Sequence, residues 1–282
     1  MKRKIAVKIA GSSIALAVAI AGCGGSRGSD PDSPHAQSPE KQSAAEYDLG
    51  RDYFSKGNPR TALDHALKAV ELNDENAKAL YLTSAIYLSF CSTDLGFETP
   101  DCKITQAETY ARAALKAEPQ FRDARNLLGQ VLILSKKYKE AIEVLKPLAA
   151  DPAYASSFLA WGNLGWAQVL DGEVDDGISS LKNAVTQPRF CVGFYRLGVA
   201  WEKKGDPVQA EQSFTSALDV DSPDCQALQD AWEERGRVRM KLKTIESARQ
   251  DFEKCRDISS KSPTGRTCMT LLSQNTAKGG VE

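Results

Sequence analysis

The residues of this 282-residue chain best suited to covalent chemistry are its seven cysteines. They contain no Cys-x-x-Cys motif, and His65 is the only histidine beyond the amino-terminal segment, so a metal site is not expected. Cys23 stands apart near the amino terminus, which leaves six cysteines, an even number. In an oxidising compartment this predicts three disulfides, with buried free thiols as the alternative.

The other polar residues form no catalytic arrangement. His35 lies in a polar amino-terminal segment and His65 on the exposed side of a predicted helix, and neither has a nucleophile or carboxylate at a specific spacing. Two acidic pairs are interpreted as solvated helix faces: Asp175-Asp176 and Glu233-Glu234. The glycines lack the Gly-Lys-Ser/Thr pattern of a phosphate loop. We therefore expect no enzyme, no metal, no small-molecule substrate and no cofactor.

The elements that position the cysteines are repeated helix pairs. In one segment Leu197 and Gly198 are followed by Trp201, and Ala210 and Phe214 come after a turn marked by glycine. This is the spacing of the tetratricopeptide pattern, whose unit is about 34 residues long. Small residues are needed where two helices cross closely, and bulky residues fill the space on either side.

The same spacing, twelve residues from a glycine to a second small residue, occurs in four other places. The pairs are Gly50 and Ala62, Gly129 and Ala141, Gly165 and Gly177, and Gly236 and Ala248. In a sixth copy Ser84 takes the place of the glycine and Ala107 follows 23 residues later, which indicates an insertion of eleven residues. That insertion lies within residues 91–102, which begin and end with cysteines eleven apart and are predicted to form a loop closed by a disulfide.

Six such units predict an all-α fold, a right-handed superhelix of six tetratricopeptide helix hairpins with a C-terminal capping helix. A non-repetitive helical bundle is the alternative. The superhelix is expected to span residues 44–275, and a disordered tail to span residues 276–282. The predicted repeats cover residues 43–76, 77–121, 122–155, 158–191, 191–224 and 229–262, and the predicted cap covers residues 264–275.

The amino terminus carries the features of an export signal. Residues 1–22 begin with basic residues and continue with an apolar run too short to span a bilayer comfortably. The sequence Ile20-Ala21-Gly22-Cys23 resembles the bacterial lipobox, which implies that Cys23 receives a covalent lipid and becomes the mature amino terminus. An ordinary secretory signal with an incidental cysteine is the alternative. Gly24 is not Asp, which favours the outer membrane over the inner one.

Composition separates a tether from the folded body. Residues 23–43 are rich in Gly, Ser, Pro and Asp and are predicted to be disordered. Four of the 36 basic residues lie in residues 1–22, so 32 basic residues face 37 acidic ones in the mature chain, a formal charge of −5. This acidic balance does not favour nucleic-acid binding, which needs basic surface.

The repeat register narrows the disulfide pairing. Cys91 and Cys102 bracket the insertion, and Cys191 and Cys225 lie 34 residues apart, which is one repeat length. In a superhelix such residues lie in neighbouring turns. The third pair, Cys255 and Cys268, would fasten the capping helix to the last repeat.

The first helix of each repeat is expected to line the concave wall, where such superhelices bind other proteins. Residues three, four and seven apart on these helices form a largely apolar and aromatic face suited to an amphipathic helix or an extended apolar segment. The alternative is that these residues complete the core or contact the insertion loop. The predicted groove residues are Tyr47, Arg51, Phe54, Tyr81, Leu88, Asn126, Gln130, Ile133, Leu134, Trp166, Val169, Leu170 and Tyr195.

A lipobox, a short tether and six repeats with a cysteine-bracketed insertion together resemble the type IV pilus pilotins, the PilF/PilW family, with a Tgl-like set of cysteines. The repeat residues that carry the resemblance are Tyr47-Asp-Leu-Gly50 and Trp161-Gly-Asn-Leu-Gly165. The resemblance implies a lipid-anchored protein on the periplasmic face of the outer membrane that binds secretin subunits and promotes their assembly into the pilus pore. The alternative is a general envelope scaffold that gathers cell-wall or secretion proteins.

Overall fold

The structure, a computed structural model, describes residues 38–91 and 101–278. Within these residues it contains 14 helices and no strand. No helix in these ranges combines the length and the apolar character that crossing a membrane requires. The helices are α1 Pro39–Ser55, α2 Pro59–Leu72, α3 Ala77–Ser89, α4 Ile104–Ala117, α5 Arg122–Leu134, α6 Tyr138–Ala149, α7 Ser157–Asp171, α8 Val174–Ala184, α9 Cys191–Lys204, α10 Pro207–Leu218, α11 Pro223–Gln226, α12 Gln229–Lys241, α13 Ile245–Ile258 and α14 Pro263–Lys278.

The helices form six pairs that stack in chain order. The pairs are α1 with α2, α3 with α4, α5 with α6, α7 with α8, α9 with α10, and α12 with α13. The first helix of each pair also contacts the first helix of the next pair, so these helices line one wall side by side. Helix α14 packs on α12 and α13 and closes the end. The predicted all-α superhelix of six hairpins and a capping helix is therefore confirmed.

Close helix crossings explain the small residues of the repeat pattern. A methyl group on Gly198 would lie 2.5 Å from the ring of Phe214, and one on Gly236 would lie 2.5 Å from the ring of Phe252. Both phenylalanines are completely buried. In the second pair Ser84 takes the place of the glycine, and its hydroxyl donates a hydrogen bond of 2.7 Å to the carbonyl of Ala107. At each of these crossings the neighbouring helix lies so close that a larger side chain would not fit.

A residue in the left-handed region makes the turn within five of the six pairs. Three are glycines, Gly57, Gly172 and Gly205, with φ of 75°, 97° and 85°. At the corresponding turns after α5 and α12 the residue is a lysine, with φ of 60° at Lys136 and 63° at Lys243. A side chain in this conformation brings Cβ close to the following carbonyl, so these two lysines are strained.

Three disulfides join neighbouring elements. Cys91 after α3 is bonded to Cys102 before α4, with 4.5 Å between their Cα atoms. Cys191 of α9 is bonded to Cys225 of the short helix α11, and their Cα atoms are 5.8 Å apart. The third disulfide attaches the capping helix α14 to α13 and joins Cys255 and Cys268. Residues 92–100, the interior of the insertion, lie outside the described residues.

The folded body begins earlier than the sequence predicts. The predicted tether extends to residue 43, but α1 starts at Pro39, where the side chain of Ser38 accepts a hydrogen bond from the Lys41 amide. Ser43 is buried and donates to the Ala69 carbonyl at 2.7 Å. An N-cap serine followed by proline starts a helix even in a polar sequence, which corrects this boundary.

The C-terminal helix is also longer than predicted. Helix α14 continues to Lys278, so the predicted tail cannot begin at residue 276. The predicted signal peptide of residues 1–22, the predicted lipid site at Cys23 and His35 lie outside the described residues, as do residues 279–282.

Candidate protein-binding site

The first helices of the second to fifth pairs line a pocket of about 350 Å³. Five of the predicted groove residues meet there, contributed by α3, α5 and α7. Leu134 is the most accessible of the apolar ones, with 46% of its surface exposed. The residues that line the pocket are Leu88, Cys91, Gln130, Ile133, Leu134, Asn163, Trp166 and Arg196.

Two predicted groove residues are buried and cannot contact a partner. Asn126 is 5% exposed, and its side-chain carbonyl accepts a hydrogen bond of 3.0 Å from the Asn163 amide between α5 and α7. Val169 is 1% exposed and packs with Ile178 and Leu181 in the core beneath α7. The groove prediction is wrong for both, because each side chain is rotated towards the neighbouring helix.

The groove residues of the first repeat lie outside the pocket lining. Tyr47 and Phe54 are half-buried and pack on the core cluster formed with α2 and α3. Arg51 is exposed, forms an ion pair with Asp48 at 3.1 Å and places its guanidinium 5.7 Å from the centre of the Tyr47 ring. These residues therefore cover the core of the first repeat.

The three remaining groove residues, Tyr81, Leu170 and Tyr195, are half-buried and do not line the pocket. The ring of Tyr81 lies 5.1 Å from that of Phe121, and burial raises the pKa of its hydroxyl. The ring of Tyr195 lies 5.9 Å from that of Phe214. Burial first, then the nearby carboxylates of α12, raises the pKa of Tyr195.

Arg196 is the main pocket residue that the sequence prediction missed. Its Nη1 donates to the Gly162 carbonyl at 3.2 Å and to the side-chain oxygen of Asn163 at 2.9 Å. Its guanidinium lies 5.8 Å from the centre of the Trp166 ring. Both hydrogen-bond acceptors are neutral, and burial lowers the pKa of Arg196 to about 10. The pocket therefore combines an apolar wall with a cation at one end.

The repeat register could have predicted that Asn163 and Arg196 line the pocket. Asn163 lies two residues before Gly165, and Arg196 lies two residues before Gly198. Equivalent positions in successive repeats face the same wall. In the fifth repeat the predicted groove face included Tyr195, which lies one residue before Arg196, and so the prediction missed Arg196.

The next helix along this wall carries acidic residues in place of the cation. Glu234 lies two residues before Gly236, and burial followed by the charges of Glu202 and Glu233 raises its pKa to about 7. The basic residues nearby pair elsewhere: Arg237 with Glu233 at 2.5 Å, and Lys241 with Glu202. Glu233 and Glu234 are half-buried, so the interpretation of this pair as a solvated face is wrong.

The histidine of the first repeat, His65, takes part in packing between α1 and α2. His65 is half-buried rather than exposed, its Nδ1 lies 2.7 Å from a carboxylate oxygen of Glu46, and its ring stacks on Tyr53 with centres 5.3 Å apart. Hydrogen bonds from Lys68 and then His65 lower the pKa of Glu46. These contacts fasten α2 to α1.

The other acidic pair, Asp175 and Asp176, is exposed at the start of α8, and Asp175 pairs with Lys204 at 2.6 Å. Within the described parts of the chain, no three His, Cys, Asp or Glu residues are grouped so that they could hold a metal ion.

Comparison with known proteins identifies the fold. The tetratricopeptide repeat model matches residues 47–90 and 103–155. No curated protein matches the sequence. Among solved structures, PilW, a widely conserved type IV pilus biogenesis factor, has a TM-score of 0.66 at 19% identity, over 80% of this chain and 98% of PilW.

Two further structures have the same architecture. PilF of Pseudomonas aeruginosa has a TM-score of 0.64 at 15% identity, over 83% of this chain and 100% of that one. A tetratricopeptide repeat protein from Parabacteroides merdae has a TM-score of 0.61 at 16% identity, over 88% of this chain and 87% of that one. At these identities the similarity is one of fold. The chain is thus an all-helical tetratricopeptide superhelix, a fold that serves as a scaffold for binding other proteins.

Proposed function

We propose that this protein is a lipid-anchored pilotin of the outer membrane, which binds secretin subunits through its pocket and promotes their assembly into the type IV pilus pore. The observation that carries the proposal is the pocket itself, where side chains from three successive repeats present an apolar surface. The similarity in fold to PilW and PilF covers nearly the full length of those two proteins and supports a role in type IV pilus biogenesis.

The pocket chemistry suits a subunit-binding role. Leu88, Ile133, Leu134 and Trp166 offer apolar surface that a partner segment would cover. In this proposal, the segment belongs to a surface of the secretin subunit that is later buried in the ring. Binding in the pocket would cover such a segment until its final contacts form.

The lipid on Cys23 would hold the protein at the membrane where the secretin subunits assemble. Anchoring holds the superhelix and the subunits at the same membrane surface, so a high local concentration replaces high affinity. A moderate affinity then lets the subunit leave when the ring forms. The proposed lipid also accounts for the lipobox of residues 20–23.

Assembly of the pore in cells tests the proposal. We expect Trp166→Ala and Leu134→Asp to reduce the amount of secretin multimer in membranes several-fold at unchanged protein level. Val208→Asp is the matched control, because Val208 is 51% exposed on α10 and does not line the pocket. Wild-type amounts of multimer in both pocket variants would contradict the binding role.

The anchor needs a separate test. Cys23→Ala should leave the folded body intact but reduce the multimer and release the protein from the membrane, and mass spectrometry of the wild-type amino terminus should find the lipid. If Cys23→Ala supports normal assembly, the proposal that the lipid anchor promotes assembly is wrong. Recovery of cell-wall or secretion enzymes without secretin, in pull-downs that depend on Trp166, would favour the general envelope scaffold.

A further inference from the structure

Arg196 brings a positive charge into the pocket without an acidic partner. Its two hydrogen bonds go to the Gly162 carbonyl and to the amide oxygen of Asn163, which are both neutral. Two other arginines, Arg235 and Arg122, pair instead with carboxylates: Arg235 bonds to Asp251 at 2.8 Å and Arg122 to Asp151 at 2.7 Å. Within residues 38–91 and 101–278 no carboxylate forms an ion pair with Arg196.

The guanidinium still has donors available. Only Nη1 takes part in the hydrogen bonds of Arg196 to the described residues, which leaves Nε and Nη2 without protein acceptors there. In that part of the chain every fully buried side-chain nitrogen or oxygen has a hydrogen-bond partner. Because Nε and Nη2 of Arg196 have none, these two atoms are not fully buried and remain in contact with solvent. Nε and Nη2 lie on one edge of the planar fork, the arrangement that binds a carboxylate through two parallel hydrogen bonds.

The site gains more from an anion than an exposed arginine would. Burial has already removed part of the water around Arg196, and a cation in a low-dielectric site is costly without a counter-charge. A carboxylate that enters the pocket supplies that charge. The walls formed by Ile133, Leu134 and Trp166 require that apolar side chains accompany it.

We propose that the pocket binds an apolar segment of a protein partner through one Asp or Glu side chain, whose carboxylate pairs with Arg196. This inference rests on the proposed protein-binding function of the pocket and specifies the chemistry of the partner.

The wall beyond Arg196 favours a side-chain carboxylate over a chain terminus. Glu234 occupies the equivalent position on α12, and the basic residues near it pair with Glu233 and Glu202. A partner chain that continues past Arg196 can place a basic side chain against Glu234. A chain that ended at Arg196 would leave this acidic surface uncovered.

Selection of peptides provides the test. Short random peptides are displayed and selected on the purified full chain, and in parallel on Trp166→Ala and Arg196→Gln. We expect the enriched peptides to carry an acidic residue beside apolar residues, and both variants to abolish the enrichment. Thermal melting establishes that each variant is folded.

Binding measurements on the most enriched peptide then identify the contact. Arg196→Gln should weaken binding about tenfold or more, and changing the acidic residue of the peptide to its amide should cause the same loss. Combining the two changes should add little, because both remove one ion pair. Arg249→Gln is the control, since Arg249 on α13 pairs with Glu246 and Glu253 outside the pocket.

The outcomes separate the possibilities. Peptides that need Trp166 but neither Arg196 nor an acidic residue would overturn the carboxylate inference and leave the binding pocket standing. If the same peptides are enriched on wild type, Trp166→Ala and Arg196→Gln, or if no peptide is enriched, the result would also count against the pocket as a binding site. Loss of binding on amidation of the peptide C-terminus would overturn the choice of a side chain. If Arg196→Gln does not fold, the change in the peptide still decides the question on the wild-type chain.

Discussion

The carboxylate of Asp251 on α13 accepts two hydrogen bonds from the guanidinium of Arg235 on α12, at 2.8 and 3.1 Å. Both side chains are enclosed, with 2% and 8% of their surfaces exposed. Arg239 donates to the same carboxylate at 2.9 Å and to Glu211 of the preceding pair at 2.7 Å. The network therefore joins the sixth helix pair internally and connects it to the fifth.

Asp251→Asn should destabilise the protein strongly. Removal of one partner leaves the Arg235 charge buried without compensation, which costs about 3–5 kcal/mol in unfolding free energy. Urea unfolding measures the loss. Asp257→Asn is the matched control, because Asp257 is exposed on the same helix and, among the described residues, forms its ion pair with its neighbour Arg256. Equal midpoints for the two variants would show that the buried network contributes nothing to stability.

Lys243→Gly should stabilise the turn between α12 and α13. Lys243 has φ of 63°, and glycine adopts this conformation without the steric cost of a side chain. Part of that gain is lost to the greater freedom of glycine in the unfolded chain, so we expect about 0.5–1 kcal/mol. Lys254→Gly, inside α13, should instead lose about 1 kcal/mol. A lower melting temperature for Lys243→Gly would contradict the account of strain.

The stability of the wild-type protein should fall as pH rises from about 4.5 to about 7 through the contribution of Glu234. Its pKa is raised from 4.5 to about 7 in the folded protein, mainly by burial and then by Glu202 and Glu233. The folded state binds more protons than the unfolded state over this interval, so raising the pH favours unfolding.

Glu234→Gln should remove this contribution. The variant is expected to match the wild type near pH 4 and to exceed it above pH 7 by about 1 kcal/mol, a figure reduced because the side chain is partly exposed. Denaturant unfolding across this pH range provides the measurement, with Glu253→Gln as a control of the same charge change. A constant difference at all pH values would exclude titration of Glu234 as the cause.

Loss of the disulfide between Cys255 and Cys268 should loosen the capping helix. The bond closes a separation of 13 residues, and a loop of this size contributes about 3 kcal/mol in the chain-entropy model. Replacing both cysteines with alanine should lower the unfolding midpoint and expose α14 to limited proteolysis. The same replacement at Cys91 and Cys102 should leave α14 protected. Protection of α14 in the first variant would show that packing alone holds the cap.

Much of the fold was accessible from the sequence because the repeat signal is local. Gly198 and Gly236 mark helix crossings where the rings of Phe214 and Phe252 leave no room for a side chain, and those phenylalanines follow at the spacing of the repeat. The tether boundary was missed because Ser38 and Pro39 form a cap, while the composition around them remains polar.

The candidate site was only partly predictable. Leu88, Gln130, Ile133, Leu134 and Trp166 reach the pocket, since residues three and four apart on a helix share a face.

By itself the sequence determined the repeat length, the all-helical hairpins and their order, because those follow from which positions must be small and which must be apolar. The tertiary structure decided which side chains face the pocket and what charge they bring. A rotation of one residue turns a helix by about 100°, and packing between neighbouring pairs sets that rotation. It places Val169 in the core and Arg196 at the pocket, where a cation now faces the space a partner would occupy.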